Sequence, residues 1–193
     1  MPTPRPQSTR PLPDNATKVF DGKLYDVYQW EQPLFDGTTA TYEKLKGIDV
    51  VSVIPVTADG KVIITHQQQP GSKEYITTAG GRVEDGEDPL EAVKRELLEE
   101  TGYTSDNYEL WLAFQPSPRI EQALYVFIAK NCVQVTDQNL DAGEKVKIEL
   151  ISFDQFVDVV IGDLYNDPDV KMEFLKAKLY PEKMESLRKL LSN

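Results

Sequence analysis

Apolar and polar positions along this chain switch between strand-like and helix-like spacing. A turn signal at Asp21-Gly22 and the strand-like residues Leu24, Val27 and Tyr28 fall within 18–30. Asp36-Gly37 marks a second turn, followed by a strand expected at 38–45. The β-branched run VVSVIPV at 50–56 predicts a buried strand, and Asp59-Gly60 turns it into another at 61–67. A short strand at 74–78 leads into Ala79-Gly80-Gly81. Further strands are expected at 108–114, at 122–130 with 131–137 as its extension, and at 146–153. A rigid loop at 115–119 and a polar loop at 140–145 separate them. Helical spacing governs 154–161, with Phe156, Val157, Val160 and Ile161 apolar, and 170–191, interrupted near Pro181. This order predicts an α+β sandwich.

One more helix lies mid-chain. Asp88 is a natural N-cap, Pro89 suits the first helical position, and Gly102 stops the helix. Leu90, Val93 and Leu97 form an apolar stripe that faces a core. Glu96, Glu99 and Glu100 stand at i, i+3 and i+4 and share another face, with Ala92 on the carboxylate side, where it leaves room for a ligand. Two carboxylates about 4 Å apart repel by roughly 4 kcal/mol at an effective dielectric near 20. A solvated charged face relieves that repulsion, and so does a bound cation. Oxygen-only ligands in an open site favour a hard ion such as Mg²⁺.

Composition narrows the class. The chain has 193 residues, which suits one domain with extra elements, and 40% hydrophobic with 27% charged residues is ordinary for a globular protein. A net charge of −11 argues against nonspecific binding to nucleic acid or anionic lipid. Cys132 is the one cysteine, so no intrachain disulfide forms, and a buried inert thiol is expected. His66 is the one histidine and is expected to end a strand. No apolar run spans a membrane and no secretory h-region is visible, so a cytoplasmic protein is the default expectation.

The full spacing around the acidic helix decides between the two readings of its carboxylates. Gly81, five residues, Glu87, seven residues, then Arg95-Glu96-Leu97-Leu98-Glu99-Glu100-Thr101-Gly102-Tyr103 resembles the Nudix box, G-x5-E-x7-R-E-U-x-E-E-x-G-U. Only the last U departs, being Tyr103. With seven fixed residues each near 7% in average usage, a chance match in a chain this long is roughly one in a million. Weaker similarity runs from about residue 18 onward.

The resemblance implies a Nudix-type α/β/α sandwich with a mixed sheet over 48–193, preceded by a small antiparallel β unit at 17–47 that commonly swaps within a homodimer. Residues 1–16, holding five prolines, are expected to form a flexible arm. By similarity, Glu96 and Glu100 lead the metal set, Glu99 shares it, and a backbone carbonyl near Ala79 helps hold the ion. Mg²⁺ is the expected cofactor, with Mn²⁺ as its alternative. Arg95 orients carboxylates, and Glu87 joins the metal shell through water. For the general base, Glu144 stands where such a loop glutamate belongs, Glu99 is a box alternative, and Glu121 is the runner-up.

Substrate class comes from outside the box. Pro118, 15 residues after Tyr103, resembles the downstream proline of ADP-ribose pyrophosphatases. The chain departs from that subgroup at His66-Gln67-Gln68-Gln69, where R-Q-Y-R is usual, and at Thr77-Thr78-Ala79-Gly80, where L-P-A-G is usual. Arg82 or Arg119 would then contact phosphate. Trp30, Phe35 and Tyr42 pack the hairpins, the favoured reading, or stack on a nucleobase. The expected reaction is Mg²⁺-dependent hydrolysis of a nucleoside diphosphate sugar, ADP-ribose-like, to a nucleoside monophosphate and a sugar phosphate. A house-cleaning nucleoside triphosphate pyrophosphatase and a non-catalytic nucleotide-sensing module are the competing readings.

Overall fold

A computed structural model describes residues 2–140 and 142–192; Asp141, within the polar loop expected at 140–145, lies outside the described residues. In chain order the elements are β1 (Thr17–Phe20), β2 (Tyr25–Pro33), β3 (Thr39–Gly47), β4 (Val50–Thr57), β5 (Val62–Gln68), β6 (Tyr75–Thr77) and β7 (Gly80–Arg82), then α1 (Pro89–Thr101). They continue as β8 (Tyr103–Thr104), β9 (Asn107–Phe114), β10 (Ile120–Glu121), β11 (Leu124–Gln134), β12 (Lys145–Ile151), α2 (Phe153–Ile161), α3 (Pro168–Leu179) and α4 (Pro181–Leu190).

The larger sheet runs β12-β5-β4-β11-β8, with β6 paired to β5, β7 to β4 and β9 to β11. It is mixed, because β4 and β11 pair in parallel from Val50↔Leu124 onward while its other pairs are antiparallel. Side chains alternate across it. Val51, Val53, Ile63, Tyr125 and Phe127 face α1, and Ile54, Val56, Val62, Ile64, Val126 and Ile128 face the cluster built by α2, α3 and α4. A sheet covered on both faces explains why 50–56 reads as an unbroken apolar run. Cys132 is buried in the α1-side core, as expected. The expected α+β fold with a mixed sheet is the one found.

Helix α1 forms for the reasons legible in its ends. The Asp88 side chain accepts from Leu90 N–H, Pro89 occupies the first turn, and Gly102 adopts φ 73° while its N–H donates to Leu98 C=O. A Cβ on Gly102 would collide with the Thr136 carbonyl oxygen. Val93 and Leu97 are fully buried, each contributing about 1.5–3 kcal/mol of burial. Ala92 corrects an expectation: it is fully buried in the core and makes no room for a ligand. The helix lies on β4 and β7, so the stripe running Ala92, Glu96, Glu100 also faces the sheet.

The smaller sheet has the order β1-β2-β3-β10. β2 and β3 form a hairpin nine pairs long, from Tyr25↔Gly47 to Pro33↔Thr39. β10 then adds to β3 in parallel at Leu45 and Lys46, stitching this unit to the second half of the chain. The proline-rich stretch before β1 is tied to the rest of the chain by a series of side-chain bonds. Thr3 donates from its N–H and hydroxyl to Asp88, Arg5 pairs with Asp49 and Glu121, and the Pro6 carbonyl accepts from Gln115. Beneath it, the buried Lys44 donates to Glu121, Ser8 Oγ and Arg10 C=O. The two cations hold the Glu121 carboxyl below the usual range, against the upward push of burial. Glu121→Gln leaves the Lys44 charge short of its counter-ion, so it should lower unfolding free energy by about 2 kcal/mol, read by urea denaturation.

Candidate active site

A cavity of about 990 Å³ opens over α1, where β7 and the strands beside it meet the carboxylate stripe. Glu96, Glu99 and Glu100 line it from the helix, Arg82 from the end of β7, and Glu144 from just before β12. Glu100 is only 5% exposed. Its Oε2 accepts from Gly80 N–H at 3.1 Å and its Oε1 from Gln67 Nε2 at 3.2 Å. Tyr75 OH donates to Gln67 Oε1 at 3.1 Å, so a tyrosine–amide relay ends on this carboxylate. Burial pushes the Glu100 carboxyl up to about 8, reinforced by the charges of Glu96 and Glu144 and opposed by the two hydrogen bonds.

Arg95 is the local counter-charge. Its Nη1 meets Glu96 at 2.8 Å and Glu99 at 3.2 Å, while Nε and Nη2 each meet Glu87 at 3.1 Å. Nη2 also donates to Arg82 C=O at 3.0 Å. The guanidinium therefore ties the helix face to the loop before it and to β7. The Arg95 hydrogen bonds hold Glu87 below its usual range. Burial raises Glu96 despite the same neighbour. A Cβ at Gly81 would meet the Glu96 carboxylate, so a larger residue there would push that side chain off its present position.

Among the described residues, no salt bridge reaches Glu100 or Glu144, and no three His, Cys, Asp or Glu side chains are drawn together as an ion cage. The Glu96 and Glu99 carboxylates instead share the Arg95 Nη1. The donor chemistry nonetheless fits a hard divalent ion: oxygens alone, in an open cavity, around a buried carboxylate that lacks a cation.

The structure gathers some sequence candidates and not others. Arg95, Glu96, Glu99, Glu100, Glu144 and Arg82 line one cavity. Ala79 is fully buried outside the lining, with its carbonyl accepting from Val53 N–H, and Gly80 takes the cavity wall instead. Glu87 is held by Arg95 and by Glu84 N–H. Trp30 sits on β2 against Tyr42, with centroids 6.1 Å apart, and its Nε1–H donates to Gln32. Pro118 and Arg119 lie on an exposed loop beyond the lining. Glu121 borders a separate cavity of about 430 Å³ with Arg5 and Asp49. Residues that the sequence did not single out complete the wall: Gln67, Tyr75, and Asn166 and Asp167 from the turn before α3. That turn is fixed by Asn166 N–H donating to Ile76 C=O and Ile76 N–H donating to Leu164 C=O.

The NUDIX domain profile matches residues 47–172, most of the chain and all of this cavity's glutamates. The chain belongs to the NUDIX family. It is 30% identical over 146 residues to the ADP-ribose pyrophosphatase of Bacillus subtilis (strain 168), covering 74% of this chain and 79% of the relative. It is 27% identical over 163 residues to the methanol dehydrogenase activator of Bacillus methanolicus, covering 83% and 80%. Its fold matches a crystal structure of an ADP compounds hydrolase with TM-score 0.69 and 15% identity, over 91% of this chain and 97% of that one. The expectation of a Nudix hydrolase resembling ADP-ribose pyrophosphatases agrees with these relatives.

Proposed function

We propose that this NUDIX protein hydrolyses the pyrophosphate bond of a nucleoside diphosphate sugar of the ADP-ribose kind. The observation that carries this reading is one cavity lined by three α1 glutamates, Glu144 and Arg82. The likeness to the Bacillus subtilis ADP-ribose pyrophosphatase supports the substrate class. Glu96, Glu99 and Glu100 are the residues that would hold Mg²⁺ or Mn²⁺. Such an ion, when bound, neutralises pyrophosphate charge and lowers the pKa of nearby water.

The chain's own groups supply the rest. Arg95 keeps the Glu96 and Glu99 carboxylates in fixed orientation. Glu144 takes a proton at its carboxylate from the water whose oxygen attacks phosphorus. The bridging oxygen leaves with the second phosphoryl group, giving a nucleoside monophosphate and a sugar phosphate. Arg82 contacts a phosphate oxygen. The Trp30–Tyr42 pair stays outside the cavity of its own chain, so a base-stacking role requires a homodimer that carries the β2–β3 hairpin to its partner.

The likeness to a methanol dehydrogenase activator favours one second reading, in which turnover serves a protein partner. A substrate panel with Mg²⁺ and phosphatase-coupled phosphate release tests the main one. Turnover of ADP-ribose and other nucleoside diphosphate sugars, at least about a hundredfold above nucleoside triphosphates in kcat/KM, is the expected result. Preference for triphosphates would replace it with the house-cleaning reading.

A further inference from the structure

The C-terminal end of α1 is tied off in an uneven way. The last four carbonyls of a helix have no partner within it. In α1 these are the carbonyls of residues 98–101, and Leu98 C=O accepts locally from Gly102 N–H at 2.8 Å. The next two go to a distant segment. Glu99 C=O accepts from Asn139 N–H at 2.8 Å, and Glu100 C=O from Gln138 Nε2 at 2.5 Å. The same Gln138 amide also donates to Val146 C=O at 3.3 Å.

Val146 is the second residue of β12, and Glu144 immediately precedes that strand. One side-chain amide therefore brackets the main chain of the buried Glu100 and the strand start that carries Glu144. The far side of the strand start is fixed as well. Val146 pairs with Gln67 across β12 and β5, and Gln67 is the residue whose amide reaches the Glu100 carboxylate. Glu144 itself makes no salt bridge among the described residues, so its placement in the cavity depends on where its backbone is held.

We infer that Gln138 is a positioning residue, whose bonds to the Glu100 and Val146 carbonyls set the distance between the α1 carboxylates and Glu144. This rests on the reading above in which Glu144 takes the proton from water. A helix cap with no further role would act differently: losing it would loosen the protein regardless of what stands at position 144.

A double-mutant cycle separates the two. Gln138→Met keeps the length and removes the donors; Gln138→Lys restores a donor. With ADP-ribose and saturating Mg²⁺, Glu144→Gln should lower kcat at least about a hundredfold. Gln138→Met should lower kcat about tenfold with KM within about twofold, because a displaced base costs rate and not binding. In the Glu144→Gln background Gln138→Met should cause no further loss, whereas with Glu144 present Gln138→Lys should keep kcat within about threefold of the parent. Gln138→Asn, too short to reach both carbonyls, repeats the cycle if the methionine variant unfolds. Equal losses in both backgrounds, or a Gln138→Met kcat within about twofold of the parent, would overturn the inference while leaving Glu144 in its role. A Glu144→Gln kcat within about threefold of the parent would instead remove Glu144 from the chemistry, and the inference with it.

Discussion

Glu100→Gln should lower Mg²⁺-dependent turnover by roughly a thousandfold or more while leaving the protein folded. The two halves of that expectation have one cause. Glu100 is the most buried carboxylate of the cavity, and its surroundings favour the neutral acid at neutral pH. Glutamine is close in shape to that neutral acid, with an oxygen for Gly80 N–H and an amide that Gln67 accommodates by turning its own. Folding therefore loses little. A cation loses a charged oxygen ligand at the buried end of the carboxylate set. Thermal unfolding without metal and single-turnover rates with metal check the two halves separately. Turnover within about tenfold of the parent would take the α1 carboxylates out of the reaction.

Local signals carried much of the fold. The ends of α1 were legible because its caps are short-range chemistry: Asp88 and Gly102 act on residues within four positions of themselves. The long strands were legible because β-branched runs and Asp-Gly turns are also local. The two- and three-residue strands β7, β8 and β10 were not, since they exist only by pairing with distant partners. Ala92 shows the limit of periodicity. The helical wheel correctly grouped it with Glu96 and Glu100, but it cannot say that β4 and β7 cover that stripe as well.

The candidate site divides along the same line. Glu96, Glu99, Glu100 and Arg95 lie within six residues, and their spacing alone drew attention to them. Glu144 and Arg82 came from the family resemblance, and both line the cavity. Gln67, Tyr75 and Gln138 are ordinary polar residues in sequence. Only the β5–β12 register and the tie between 138–139 and the end of α1 bring them to Glu100. Pro118 and Arg119 are marked by resemblance too, yet within one chain they stand away from the carboxylates.

Metal-free protein should lose stability as pH rises from about 5 to 8, and Mg²⁺ should reverse the trend. The Glu100 carboxyl sits at about 8 in the fold against an ordinary 4.5, so between those values the native state binds a proton that the unfolded chain has released. Stability then falls with rising pH through that window, by about 3–5 kcal/mol over its full width. Glu96 and Asp167, both raised by burial, add to the same slope. Glu87 and Glu121, both lowered, contribute stability that is lost only as pH falls below the ordinary carboxylate range, outside this window. A divalent ion competes with the proton on Glu100, so its stabilisation grows by up to about tenfold in affinity per pH unit below 8. Urea unfolding in excess EDTA and in saturating Mg²⁺, at several pH values, measures both slopes. Glu100→Gln supplies the control, because without the titrating carboxyl the EDTA slope should flatten. A flat EDTA slope in the parent protein would mean that Glu100 is already ionised without metal, held by its bonds from Gly80 N–H and Gln67.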